Sequence, residues 1–193
     1  MDKEKVIEET RNYVKSELMT DSSGHDWWHI YRVTELAKTI AKEEKANLFI
    51  VELSALLHDI ADEKLNTSEE AGLHKVEHWL DKQHVEATIK GHVLEIIQTM
   101  SFKGGSGSPM STLEGMVVQD ADRLDAIGAI GIARTFAYSG AKGQLIYDPN
   151  LKPRVHLSHE SYRNEKSTAI NHFYEKLFKL KASMNTSYAI KLA

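Results

Sequence analysis

Histidine and aspartate occur at three separated points of this chain, each at the edge of an apolar helical face. His29, in HDWWHIYRVTELAKTI, is in phase with Val33, Leu36 and Ile40, so an imidazole stands at the inner end of a buried stripe. His58 and Asp59, in SALLHDIADEK, follow directly on Leu53, Leu56 and Leu57. Asp122, in VVQDADRLDAIG, lies one helical turn after Val118 and one before Asp125, sharing a stripe with a core position and a second acid. If three helices bring these points together, two imidazoles and two carboxylates meet. Such a set suits a divalent cation of the Mn, Fe, Ni, Co, Zn or Mg group and leaves positions open for water and substrate. Adjacent His58 and Asp59 would project about 100° apart on an α-helix, so both reach one ion only where that helix ends. DIADEK supplies such an end. The chain has no cysteine, so nitrogen and oxygen must be the donors, and its ten histidines fit metal or proton chemistry.

The elements that must position these residues read as helical throughout, and the fold class is all-α. Apolar residues fall at helical spacing in Val6, Tyr13, Val14 and Leu18, in Ile30 to Ile40, and in Phe49, Leu53, Leu56, Leu57 and Ile60. Asn47 can cap the third helix, and TSEE (Thr67 to Glu70) and STLE (Ser111 to Glu114) have capping-box spacing. After the second box, a long apolar segment carries Gly128 and Gly131, which suggest a break or close packing. A last helix is expected from about His159 to Ala182, with Tyr162, Ile170, Phe173, Tyr174 and Leu177 on its buried side. Ser101 to Ser111 reads as a Gly- and Ser-rich loop. Ala141 to Ser158, at its length, reads as a lid or ligand loop.

With 193 residues, 41% hydrophobic and 27% charged, the chain is expected to form one globular domain over 1–193, its motif-bearing core spanning about 20–182. A formal net charge of −4 argues against general nucleic-acid binding. No apolar run long enough for a membrane span is present, and the N-terminal MDKEKVIEETRNYVKSEL lacks a signal-peptide core; a cytoplasmic location is the default expectation. The oligomeric state is open, a homodimer included.

His29 followed by IYRVTELA, then His58-Asp59, then DADRLDAIGAIG, resembles the H…HD…D signature of the HD-domain metal-dependent phosphohydrolases, and more closely the small bacterial subfamily with a GHDWWHIYRV opening. The likeness covers roughly Gly24 to Leu177. It implies a compact multi-helix bundle with His29, His58, Asp59 and Asp122 as metal ligands: His29 rather than His25, because the family histidine lies three residues before the Arg-Val pair, and Asp122 rather than Asp120, because the family ligand precedes Arg-Leu. Asp62 falls where some members carry a general acid or base. His92, in IKGHVLEII, resembles an additional histidine that some members place near the metal or a second ion.

Lys103 and Arg123 are candidate phosphate partners, since a carboxylate-rich site needs cations to hold a polyanion. Lys176, in the likewise subfamily-like HFYEKLFKL, is a further candidate ligand contact. Trp27 and Trp28 could stack a nucleobase, although bulky aromatics near a helix start are more often core; His74, His78 and His84 read as surface residues. The resemblance implies a nucleotide substrate, with (deoxy)nucleoside triphosphates cleaved to monophosphate and pyrophosphate, and one divalent ion, Mn²⁺ or Mg²⁺ ahead of Fe, Ni, Co or Zn. A nucleotide monophosphatase or cyclic-nucleotide phosphodiesterase would use the same ligands. A non-hydrolytic nucleotide-binding or sensory module, and a two-iron oxygenase, are the readings from other classes.

Overall fold

The computed structural model describes residues 1–19, 26–62, 65–100, 109–154 and 165–193, and every regular element among them is helical. In chain order these are α1 (Lys3–Leu18), α2 (Trp27–Glu44), α3 (Leu48–Leu57), a 3₁₀ turn (His58–Ala61), α4 (Glu69–Lys82), α5 (Ala87–Met100), α6 (Leu113–Asp125) and α7 (Gly128–Ala141). A composite helix follows, here α8: an α turn Ala169–His172, a π-helical turn Phe173–Leu177 and an α turn Phe178–Leu180. After a 3₁₀ turn, Lys181–Ser183, α9 (Ser187–Leu192) ends the chain. The all-α expectation holds, and no helix among the described residues is long and apolar enough to cross a membrane.

α3 is the central element. All but two of its residues are buried, and it touches α1, α2, α5 and α6. A helix apolar nearly all round must sit inside, and this one does, with Val51, Leu53, Ala55, Leu56 and Leu57 fully covered. Asn47 caps it as expected, its side-chain oxygen accepting from the backbone N–H of Phe49 and Ile50. The stripes of α1 and α2 close over α3 with Val6, Val14 and Leu18, and with Ile30, Val33, Ala37 and Ile40. α4 is pressed against the 3₁₀ turn: a Cβ on Gly72 would lie 2.4 Å from the Ala61 carbonyl oxygen, so only glycine permits this approach.

Several local expectations shift. Both capping boxes act one residue later than their spacing suggests, at Ser68 (to Ala71 N–H) and Thr112 (to Gly115 N–H). Ser111 instead donates to Glu95, and the Glu114 carboxylate is taken by the backbone N–H of Asn47, so tertiary partners outcompete the local box. The break falls at Gly128, whose φ of +69° suits glycine, while a Cβ on Gly131 would lie 2.2 Å from the Ala126 carbonyl oxygen. The helix expected from about His159 begins, among the described residues, at Ala169, with Thr168 as its cap; residues 155–164, Tyr162 included, lie outside the described residues, and the short α9 follows it. Tyr174 is exposed rather than buried, because the π turn changes the helical phase and buries Glu175 in its place.

The described part of the expected lid is strapped to α8. The Leu145 and Ile146 carbonyls accept from the Ala169 and Ile170 amides, and Asn171 donates to the Leu151 carbonyl. Arg154 donates to buried Glu175 through Nε (3.0 Å), Nη2 (2.7 Å) and its backbone N–H (3.0 Å).

Candidate metal centre

α3 stops at Leu57, and the chain tightens into the 3₁₀ turn that carries His58 and Asp59 at its start. About 120° per residue replaces 100°, and the backbone leaves the helix cylinder where both side chains need to reach one point. His58 Nε2 then lies 3.4 Å from Asp59 Oδ1. α2 brings His29 alongside, its N–H bonded to the capping Asp26 carboxylate at 2.9 Å. His29 Nε2 is 3.4 Å from Asp59 Oδ2 and 3.4 Å from Asp122 Oδ1, and His58 Nε2 is 4.0 Å from the same Asp122 oxygen. The two rings meet edge to face, 5.4 Å between centroids. The structure thus gathers all four expected ligand residues.

Each ring is anchored by its other nitrogen. His58 Nδ1 donates to the Ala55 carbonyl oxygen at 2.8 Å, and His29 Nδ1 donates to Asp125 Oδ2 at 2.8 Å. Both partners can only accept, so Nδ1 carries the proton and a neutral ring turns its Nε2 lone pair towards the two carboxylates. Four electron-rich atoms facing one another are stable only around positive charge. The buried Nε2 of His58 makes no hydrogen bond among the described residues. A dication bound at roughly 2.1 Å would space adjacent donors by about 3.0–3.5 Å, close to the separations found. His29, His58 and Asp59 can therefore hold a metal ion, and Asp122 lies at matching distance from both imidazoles.

The electrostatics show the same pull towards positive charge, which a proton on His58 can answer as well as a cation. Burial opposes charge on His58, but Asp59, Asp122 and the Ala55 carbonyl outweigh it and raise its pKa. At His29 burial prevails over the nearby acids and lowers it. Burial would raise Asp122, yet His58 and His29 hold it below the usual carboxylate value, with help from the nearby Lys176 charge.

Asp125 is the functional residue that sequence reasoning did not assign. Besides His29, its carboxylate accepts from Arg32 Nε (2.7 Å) and Nη2 (3.1 Å) and from Arg134 Nη1 (2.7 Å). Burial works against its charge, but these donors keep its pKa well below the carboxylate range. Its one-turn spacing from Asp122, and that of Arg32 from His29, was the available signal.

Other expected residues are placed differently. Asp120 is fully buried and accepts from the backbone and side chains of Asn185 and Thr186, which leaves it no ligand role. His92 is not brought to the cluster. Its Nε2 lies 3.8 Å from Glu114, two turns and about 12 Å along α6 from Asp122. Arg123 is drawn away by the Ser183 carbonyl, to which it donates, and by Asp120 at 3.7 Å, so the phosphate role expected of it does not fit. Asp62 closes the 3₁₀ turn, its N–H on the Asp59 carbonyl. Lys103 lies outside the described residues. Trp27 is buried as a core residue, whereas Trp28 is exposed beside Tyr31. His74, His78 and His84 are on the surface, as expected.

An all-helical bundle whose ordered His, His-Asp and Asp meet at one point defines a class. The chain belongs to the HD domain family, whose sequence profile matches residues 27–127, and it is an HD-superfamily hydrolase. It is 43% identical over 191 residues to YpgQ of Bacillus subtilis (strain 168), covering 98% of this chain and 85% of YpgQ. The crystal structure of Bacillus subtilis YpgQ in complex with ADP superposes with a TM-score of 0.75 at 40% identity, over 96% of this chain and 87% of that one. A crystal structure from Lactobacillus plantarum gives a TM-score of 0.91 at 46% identity, covering 100% and 90% of the two chains. An HD-superfamily hydrolase from Bacillus thuringiensis gives 0.74 at 51% identity, covering 98% and 88%.

Proposed function

We propose that this protein is a divalent-cation-dependent phosphohydrolase of nucleotides, with His29, His58, Asp59 and Asp122 as the ligands and (deoxy)nucleoside triphosphates as the preferred substrates. The observation that carries this reading is the convergence of two Nε2 lone pairs and two carboxylates, with both rings anchored through Nδ1. When bound, the cation, Mn²⁺ or Mg²⁺ first, supplies charge neutralisation at a phosphoryl oxygen and acidifies a bound water. The relative YpgQ, solved with ADP, supports a nucleotide as the substrate class.

The chain's own groups then divide the remaining work. Asp62, at the exit of the turn that carries His58 and Asp59, is the proton acceptor for the attacking water. Water oxygen bonds to the α-phosphorus, the bond to the bridging oxygen breaks, and pyrophosphate leaves with the electron pair. Lys176, whose charge already acts on Asp122, offsets phosphate charge on the open side, and Lys103 is a second cation for that role.

The test is turnover of a nucleotide panel by chelator-stripped protein with and without Mn²⁺ or Mg²⁺, with separate detection of phosphate and pyrophosphate. Metal-dependent pyrophosphate release, abolished by Asp122→Ala, is the expected result. Release of inorganic phosphate alone points to a monophosphatase, and nucleotide binding without turnover to a sensory module; either rejects the proposed bond.

A further inference from the structure

The helices around the metal centre share one closed core, but among the described residues the layer added by α7, the strap and α8 does not close. α7 reads GAIGIARTFAYSGA, largely apolar, and its only charged residue is Arg134, which is turned in to Asp125. Such a helix belongs in an interior. Here only Gly131, Thr135 and Ser139 are buried, and Ile130 and Ile132 are about half exposed. The aromatics of this layer form their own cluster: Phe136 and Phe173 are 6.2 Å apart between centroids, Phe173 and Phe178 5.8 Å, Tyr174 and Phe178 5.3 Å. Backbone bonds from Leu145 and Ile146 to the first turn of α8 place the strap's apolar run beside it. Leu145, Ile146, Tyr147, Tyr174 and Phe178 are 55–65% exposed.

We propose that this face is a self-association surface on which two copies of the chain form a two-fold dimer. Area supports a protein-sized occupant. Aromatic side chains present roughly 150–250 Å² each, so three of them at this exposure, with two aliphatic neighbours, leave on the order of 500–600 Å² open. That is the top of the range for the largest patch on a monomer. A standard interface takes about 800 Å² per partner, and homodimer interfaces are about 65% apolar, which calls for about 520 Å² of such surface.

Charge selects the partner. In a two-fold interface the same patch meets itself, so any exposed charge near the axis would meet its like. These five side chains are neutral, and two nearby charges are turned inward, Arg134 to Asp125 and Glu175 to Arg154, while Lys179, next to Phe178, and Lys142, ahead of Leu145, are exposed. A chain with a net charge of −4 can approach its own copy through these five neutral side chains.

Sedimentation velocity of the full chain between about 1 and 100 µM is the test. The wild type is expected to be dimeric at the upper end, and Ile146→Glu and Phe178→Glu each to raise the dimer Kd at least tenfold, with circular dichroism spectra and melting curves matching the wild type. Mixing Phe178→Glu with Phe178→Lys should restore dimers that neither forms alone. A wild type that stays monomeric at 100 µM overturns the proposal, as residues 155–164 of the same chain or another molecule would then cover the face. A dimer that survives both glutamate substitutions overturns it equally.

Discussion

Removing the carboxylate of Asp125 tests whether metal affinity is set from behind the ligands. Its Oδ2 receives His29 Nδ1 at 2.8 Å and Arg134 at 2.7 Å, and its Oδ1 receives Arg32 Nε at 2.7 Å. Asp125→Ala leaves the His29 Nδ1–H without an acceptor, so the ring can turn or move its proton to Nε2 and withdraw its lone pair from the cluster. Losing an orienting partner of this kind weakens metal binding by about 10- to 100-fold, equivalent to roughly 1.4–2.7 kcal/mol. Asp125→Asn should lie near the lower bound, because its amide oxygen can keep the His29 bond if the NH₂ faces Arg32 Nε. The alanine variant should also lose about 2–3 kcal/mol of stability, less than for a fully buried pair, since the Arg32 and Arg134 side chains are 35% and 18% exposed and can recover some hydration. Calorimetric titration of Mn²⁺ into stripped protein measures the affinity, and thermal melts measure the stability. Turnover should return to near wild type at saturating Mn²⁺, since Asp125 is set to touch neither substrate nor ion. A folded Asp125→Ala protein that binds Mn²⁺ within twofold of wild type would refute this reasoning.

Two further predictions separate neighbouring acids. Asp120→Ala strands the donors of Asn185 and Thr186 and should cost about 3–5 kcal/mol, a fall in Tm of roughly 10 °C, while the protein still binds Mn²⁺. Asp122→Asn should do the reverse, abolishing Mn²⁺ binding with little loss in Tm, and His92→Ala should leave Mn²⁺ binding unchanged; parallel melts and titrations check all three. The acid limb of stability should be shared by Asp125 and Glu175, whose pKa values lie below their unfolded values because Arg32 and His29, and Arg154, hold the charged forms against burial. Their contribution is complete above about pH 4–5 and is lost as pH falls through the lowered folded values. Urea unfolding from pH 7 to 2.5 should therefore show a shallower acid decline for Glu175→Gln; an unchanged slope would remove Glu175 from this account.

Much of this was legible because it is local. The stripes of α1 to α3, the Asn47 cap and the end of α3 at the His-Asp pair all follow from helical spacing and side-chain chemistry within a few residues. The break at Gly128 was legible for the same reason. The His29–Asp125 bond joins residues 96 apart, and no periodicity encodes which acid on one stripe will face which base on another. Arg123 looked available because its neighbour Asp122 belongs to the site, yet a step of one residue turns it through about 100°, to the Ser183 carbonyl. Glu175 was invisible for a different reason: a π turn changes the phase of the stripe, and charge would not have been placed inside without Arg154 to meet it.

α6 explains why the site and the chain's end are coupled. At 3.6 residues per turn, Asp122 and Asp125 lie about 60° apart on one face, Asp120 and Arg123 about 60° apart on another, and Asp120 stands about 160° from Asp122. The first face meets His29 and Arg32 of α2; the second meets Ser183, Asn185 and Thr186. Any rotation of α6 that relaxed one set of bonds would strain the other. The C-terminal segment thus acts as a counterweight: by holding Asp120 and Arg123, it fixes the angle at which Asp122 faces the two imidazoles. The orientation of Asp122 is then backed by residues more than 60 positions away in sequence, and loosening Asn185 or Thr186 should lower stability and weaken Mn²⁺ binding without abolishing it.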